Sequence, residues 1–157
     1  AYVLAGADAV SIRGIRTLVQ LLGVIPIPTS FAGMRGFLAA VSLRAGQKSC
    51  VAVFPEAHIW PFYTGIRPFG DTSFRYPVKE GMPAVAAVVT YRRRRGLFRL
   101  MKKPGMTVTL SEPMYPDASL PPRAAQRDLR DRVYGFMTEV SASRENVAYI
   151  DYIPMAE

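Results

Sequence analysis

The 157-residue chain is half hydrophobic and one-fifth charged, which is long enough to bury a core and too apolar for a disordered segment. One cysteine, Cys50, excludes an internal disulfide and fits a reducing compartment. One histidine beside it cannot complete an ordinary zinc site, so no metal is expected, and a formal net charge of +8 turns attention to anionic partners.

Residues 9–22, AVSIRGIRTLVQLL, place Ile12, Ile15, Leu18, Val19 and Leu22 at helical spacing, which predicts a helix stopped by Gly23. VIPIP then reads as a short extended segment, because each proline disfavours helix before it. Met34 to Ala45 predicts a second amphipathic helix, with Phe37, Leu38, Val41 and Ala45 on one face and Gly46 ending it. Ser49 to Phe54, SCVAVF, has the apolar, β-branched make-up of a strand covered on both faces, as in a parallel sheet. A loop rich in Pro, Gly and aromatics follows from Pro61 to Phe69. TSFRYPVKEG, where Pro77 would kink a helix, then leads to a second buried strand, Ala84 to Arg92. MTVTLSEP alternates as a strand, Asp117 to Pro122 is a loop, and a final helix runs from Arg123 to Val140. Its buried stripe is Leu129, Val133, Phe136, Met137 and Val140.

No internal repeat appears, and one domain spanning 1–157 is expected. The longest apolar run, LVQLLGVIPIPTSF, is broken by Gln20, Gly23, Pro26 and Pro28, short of the roughly 18–20 residues a membrane span needs. No signal-peptide pattern is present, and the opening on Ala1 in place of Met points to a fragment.

Charge gathers in one place. Arg92, Arg93, Arg94, Arg95, Arg99, Lys102 and Lys103 are interleaved with Leu97, Phe98, Leu100 and Met101. Such a mixture suits anionic lipid head groups with apolar side chains dipping into the interface. It also suits nucleic-acid phosphates, or a solvated basic turn. No nucleic-acid-binding motif accompanies it, so the lipid surface is the expected partner and nucleic acid is not.

The chemistry concentrates in VAVFPEAHIW, where an apolar run ends in Phe54-Pro55-Glu56 and is followed by Ala57, His58 and Trp60. Ligands of open α/β sheets sit outside the carboxyl ends of the strands, and Pro55 fixes the chain direction there. Glu56 is therefore either a carboxylate held at a pocket mouth, to bind hydroxyls or a cation, or an exposed loop glutamate. Trp60, Phe62, Tyr63, Phe69, Phe74 and Tyr76 crowd the same region, as an acyl channel, an interfacial belt or core packing.

Four blocks fall in order: Gly23 to Thr29 (GVIPIPT), Phe54-Pro55-Glu56-Ala57, Pro68-Phe69 and Gly81-Met82-Pro83. Over roughly residues 10–115 this arrangement resembles the lysophospholipid acyltransferase family, the 1-acylglycerol-3-phosphate acyltransferases. The resemblance implies an α/β fold with a mostly parallel or mixed sheet flanked by helices, its amino-terminal part missing. It implies transfer of a fatty acyl group from a coenzyme A or acyl-carrier-protein thioester to a lysophospholipid hydroxyl, with no bound cofactor. It also implies a peripheral enzyme on the cytoplasmic face of the cell membrane.

The family's general base is a histidine in a His-x4-Asp block, expected upstream of Ala1. There the histidine would take the hydroxyl proton and the aspartate would orient the ring. His58 does not fill that role, because Tyr63 stands where the aspartate belongs. It reads as a loop or pocket-lining residue, and no catalytic residue is assigned within the chain. Substrate contacts are expected from Phe54, Pro55, Glu56, Ala57, His58 and Arg67. The two family arginines that would grip an acceptor phosphate align with Thr29 and Ile59, leaving Arg67 or Arg75 as substitutes. A different acceptor, or a non-catalytic lipid-binding domain of the same fold, stays open.

Overall fold

A computed structural model describes residues 1–6, 21–56 and 60–153. The helix expected over 9–22 lies almost wholly outside the described residues. Three short strands, β1 (Tyr2–Ala5), β2 (Val24–Pro26) and β3 (Val51–Ala52), form a parallel ladder in the order β2-β1-β3. Val3 faces Val24 on one side of β1 and Ala52 on the other. Parallel strands need long connections, and the one from β2 to β3 is helix α1 (Phe31–Gly46). Ser30 caps it, its hydroxyl accepting from the Gly33 amide at 3.4 Å.

The apolar face of α1 is the expected one. Phe37, Val41 and Ala45 are buried, and Leu4, Phe37 and Val41 form a cluster with Ile25, Leu38, Val51 and Tyr76 against it. Two expectations are corrected here. Gly46 is the last helical residue instead of the stop, and the left-handed turn falls on Lys48 (φ 53°). The strand foreseen over Ser49 to Phe54 narrows to Val51–Ala52, half-buried, because the chain turns at Pro55-Glu56. Gly23 does adopt positive φ (+91°), and a side chain there would meet the Ala1 carbonyl.

A second cluster surrounds helix α3 (Pro122–Ser143), reached after a 3₁₀ turn (Thr72–Phe74) and the short helix α2 (Arg75–Glu80). Pro77 does not break α2, because it sits in the first turn, where its missing N–H has no helical acceptor anyway. Gly81 closes the helix in the left-handed region, and the Met82 amide donates to Pro77 at 2.9 Å. The stripe Leu129, Val133, Met137 and Val140 packs on Phe69, Phe74, Ala86 and Val88, with Phe136 partly buried beside them.

Strands β4 (Ala87–Arg92) and β5 (Gly105–Leu110) pair antiparallel, and the strand expected over Ala84 to Arg92 narrows to Ala87–Arg92. Their connection holds only the 3₁₀ turn Gly96–Leu100, and no α-helix that could cross over to a parallel neighbour. β4 is also not covered on both faces. Val88 and Thr90 are buried, whereas Val89 on the other face is 43% exposed.

Two contacts join the clusters. Tyr76 meets Phe37 edge-on at 5.9 Å, and burial raises its phenol pKa, partly offset by the Arg75 charge. The Ser42 hydroxyl donates to the Glu80 carboxylate at 2.6 Å, with Lys79 3.2 Å from both groups. The Ser42 bond first, then Lys79, holds the Glu80 pKa below its ordinary value of 4.5.

A depressed carboxylate pKa stabilises the fold above the unfolded value, and that contribution disappears as pH falls through the folded value. We therefore expect Ser42→Ala to lose about 1 kcal/mol near neutral pH. In urea titrations run from pH 7 down to 3, the gap from wild type should narrow once pH drops below about 4.5. A gap constant with pH would remove Glu80 from the account.

Candidate functional site

Because β1, β2 and β3 run parallel, their carboxyl ends open on one edge. The order β2-β1-β3 places the reversal of winding between β1 and β3, where the crevice of such sheets opens. Gly6 follows one of those strands, and Val53 to Glu56 follow the other. Pro55 turns the chain, and Glu56 comes to rest half-buried.

Its carboxylate has a fixed partner. Glu56 Oε2 accepts from the Arg67 backbone N–H at 3.1 Å, closing an eleven-residue loop. The Arg67 guanidinium lies over the Trp60 ring, 4.5 Å from its centre. One of its nitrogens, Nη1, is buried without a hydrogen-bond partner among the described residues. The carboxylate is thus held by the Arg67 backbone, while the Arg67 side chain packs on Trp60.

The loop that carries them is clamped from afar. Trp60 stacks on Tyr152 with ring centres 5.0 Å apart, and Tyr63 meets both rings edge-on. Tyr152 donates its hydroxyl to the Pro61 carbonyl at 2.8 Å. The Thr64 carbonyl accepts from the Asn146 amide at 2.7 Å and from the Ser141 hydroxyl. Phe62 sits at φ +60°, a left-handed conformation that costs a non-glycine residue about 1–2 kcal/mol. Its packing between Tyr91 and Tyr149 offsets that cost.

The expected site residues separate on this evidence of position. Glu56 and Arg67 meet, Pro55 is half-buried beside them, and Phe54 is 72% exposed at the turn. Ala57 and His58 lie outside the described residues, as does Ile59. Of the two substitute arginines, only Arg67 reaches inward. Arg75 is exposed and lines a separate cleft of about 430 Å³ with Asp71, Arg123 and Arg127.

Pro68-Phe69 and Gly81-Met82-Pro83 serve packing and turning, since Phe69 is buried in the α3 cluster and Gly81 caps α2. The six crowded aromatics do not form one group. Phe69 and Phe74 are core, Tyr76 joins the α1 cluster, and Trp60, Phe62 and Tyr63 belong to the loop.

Sequence reasoning missed Ser141, Asn146, Tyr149 and Tyr152, which hold that loop. Their one signal was an aromatic-rich tail, NVAYIDYI, following a well-marked helix. The basic residues Arg92 to Lys103 form the tip of the β4–β5 hairpin, outside this corner in sequence. No group of three or more metal-ligating side chains occurs among the described residues. No described helix is long and apolar enough to cross a membrane.

Neither the protein-family profiles nor the curated proteins include a match to this sequence. The structure does align with the crystal structure of the 1-acyl-sn-glycerophosphate (LPA) acyltransferase PlsC from Thermotoga maritima. The TM-score is 0.57 at 16% identity, over 90% of this chain and 57% of that one. The chain therefore spans less than two thirds of that protein's length. At this identity the likeness is one of architecture: the chain has the α/β fold seen in a glycerophosphate acyltransferase.

Proposed function

We propose that this chain forms part of an acyltransferase that moves a fatty acyl group from a thioester onto a lysophospholipid hydroxyl. The observation that carries the reading is the Glu56–Arg67 contact beyond the end of β3, with an Arg67 guanidinium nitrogen that is buried and has no hydrogen-bond partner among the described residues. A buried N–H without an acceptor is unfavourable by the desolvation it suffers, and a phosphate oxygen of the acceptor would satisfy it. Arg67 then holds the acceptor's phosphate, while the Glu56 carboxylate accepts from an acceptor hydroxyl.

The donor is acyl-coenzyme A or an acyl-carrier-protein thioester. A base of the His-x4-Asp type, contributed by sequence ahead of Ala1, takes the proton of the reacting hydroxyl. The freed oxygen attacks the thioester carbonyl, the carbon–sulfur bond breaks, and the thiolate leaves and takes up a proton. The place of action is the cytoplasmic face of a membrane, with the protein bound peripherally. A second reading is a lipid-binding domain of the same fold without chemistry, which applies if no His-x4-Asp block is joined to this chain.

Steady-state acyl transfer by the full-length protein tests this. With a lysophosphatidate acceptor, Arg67→Ala should raise KM for the acceptor about tenfold or more, as expected for one lost charge-assisted bond. With a monoacylglycerol acceptor, which has no phosphate, KM should not change. An unchanged KM for the phosphate acceptor would remove Arg67 from the site. Lipid binding without turnover would favour the second reading.

A further inference from the structure

The tip of the β4–β5 hairpin is built unlike a water-facing turn. Leu97 and Leu100 are each 91% exposed, and Met101 is 53% exposed. The two leucines lie three apart in the 3₁₀ turn Gly96–Leu100, a spacing that stacks side chains on one side of such a turn. Two bare apolar prongs therefore project together.

Beside them is a cleft of about 290 Å³. Its walls include Arg92, Arg93, Arg94, Arg99, Lys102 and Lys103. None of these six side chains takes part in a salt bridge among the described residues. Arg94 Nε donates to the Lys103 carbonyl at 2.9 Å and ties the two sides of the tip together. The Glu145 carboxylate is close by, but it accepts from the Arg93 backbone amide, at 3.0 Å. Six like charges around one cleft repel one another unless an anion enters it.

We propose that this tip docks on an anionic phospholipid bilayer, with the head-group phosphate in the cationic cleft and Leu97 and Leu100 below the head groups. Charge and apolarity select this occupant together. A second copy of the chain would bring two clusters of like charge face to face. A nucleic acid would answer the cations but leave the paired leucines in water. A bilayer with acidic head groups meets both demands, since anionic lipid attracts each basic side chain and the acyl region takes up the leucines. The surface does not depend on the chemistry proposed above.

Flotation of the full-length protein with phosphatidylcholine vesicles, with and without phosphatidylglycerol, tests it. Binding to the acidic vesicles should be about 100-fold tighter or more, and a variant carrying Arg93→Gln, Arg94→Gln, Lys102→Gln and Lys103→Gln should lose most of that difference. Leu97→Ser with Leu100→Ser, which leaves the charge unchanged, should weaken binding about tenfold or more while circular dichroism stays that of wild type.

Equal binding to neutral vesicles would overturn the proposal, as would full binding by the serine variant. Tip-dependent self-association, or duplex DNA held as tightly by the serine variant as by wild type, would assign the tip to another partner and overturn it too. Acyl transfer to a dispersed short-chain acceptor should be unaffected by the tip variants, so failure here is distinguishable from failure of the acyltransferase reading.

Discussion

Replacing Glu56 with glutamine in the full-length protein should lower kcat/KM for acyl transfer about 10- to 100-fold, with almost no change in stability. The two effects separate because the glutamate has two tasks. Its Oε2 holds the Arg67 amide, and a glutamine carbonyl oxygen at the same position still accepts that bond, though without the charge. What glutamine lacks is the negative charge offered to the acceptor. Glu56→Ala removes both, leaving the half-buried Arg67 amide without its acceptor at a cost of about 1–3 kcal/mol. The pair of variants, assayed for turnover and by urea unfolding, divides the roles. Wild-type turnover in the glutamine variant, with destabilisation confined to alanine, would reduce Glu56 to a clamp for its own loop.

The largest stability loss is expected in the cluster around α3. Leu129 has no exposed surface and stands amid Phe69, Phe74, Val88 and Val133. Leu129→Ala should cost about 2–5 kcal/mol, combining lost transfer energy with the cavity left behind. Denaturant unfolding followed by tryptophan fluorescence is an informative measurement, because Trp60, the one tryptophan, sits in the loop secured by Ser141 at the carboxyl end of α3 and by Asn146 just beyond it. If α3 anchors that loop, the Trp60 signal should move to lower urea together with the far-ultraviolet signal. A loss below about 1 kcal/mol would mean that the cluster closes over the missing atoms.

Helices were the legible part of this sequence. The stripe from Leu129 to Val140 repeats through the 22-residue α3, long enough for the helical period to stand out from chance. Phe37, Val41 and Ala45 did the same for α1. Glu56 was legible as a strand-end carboxylate because an apolar run met a proline immediately before it.

The pairing partner of β4 was not legible. AVAAVV offers small apolar side chains on both faces, and nothing local distinguishes the covered Val88 from the bare Val89. The inward set of Arg67 was hidden for another reason: it depends on Trp60 beneath the guanidinium and on a bond to a carboxylate eleven residues away. Tyr149 and Tyr152 were further out of reach, since their rings and hydroxyl meet residues about ninety positions earlier, and no periodicity encodes a contact of that span.

The position of β1 has a consequence for any polypeptide joined ahead of it. β1 is the middle strand of its ladder, flanked on both sides, and begins at Tyr2. A preceding segment thus arrives at the rear rim of the sheet, about 13 Å, four residues of strand, behind the rim where Glu56 stands. To bring a side chain beside Glu56 it has to traverse that depth itself, most simply as a further strand running the same way along an outer flank. Fusions at the amino terminus should therefore crowd the back of the sheet and leave its front open.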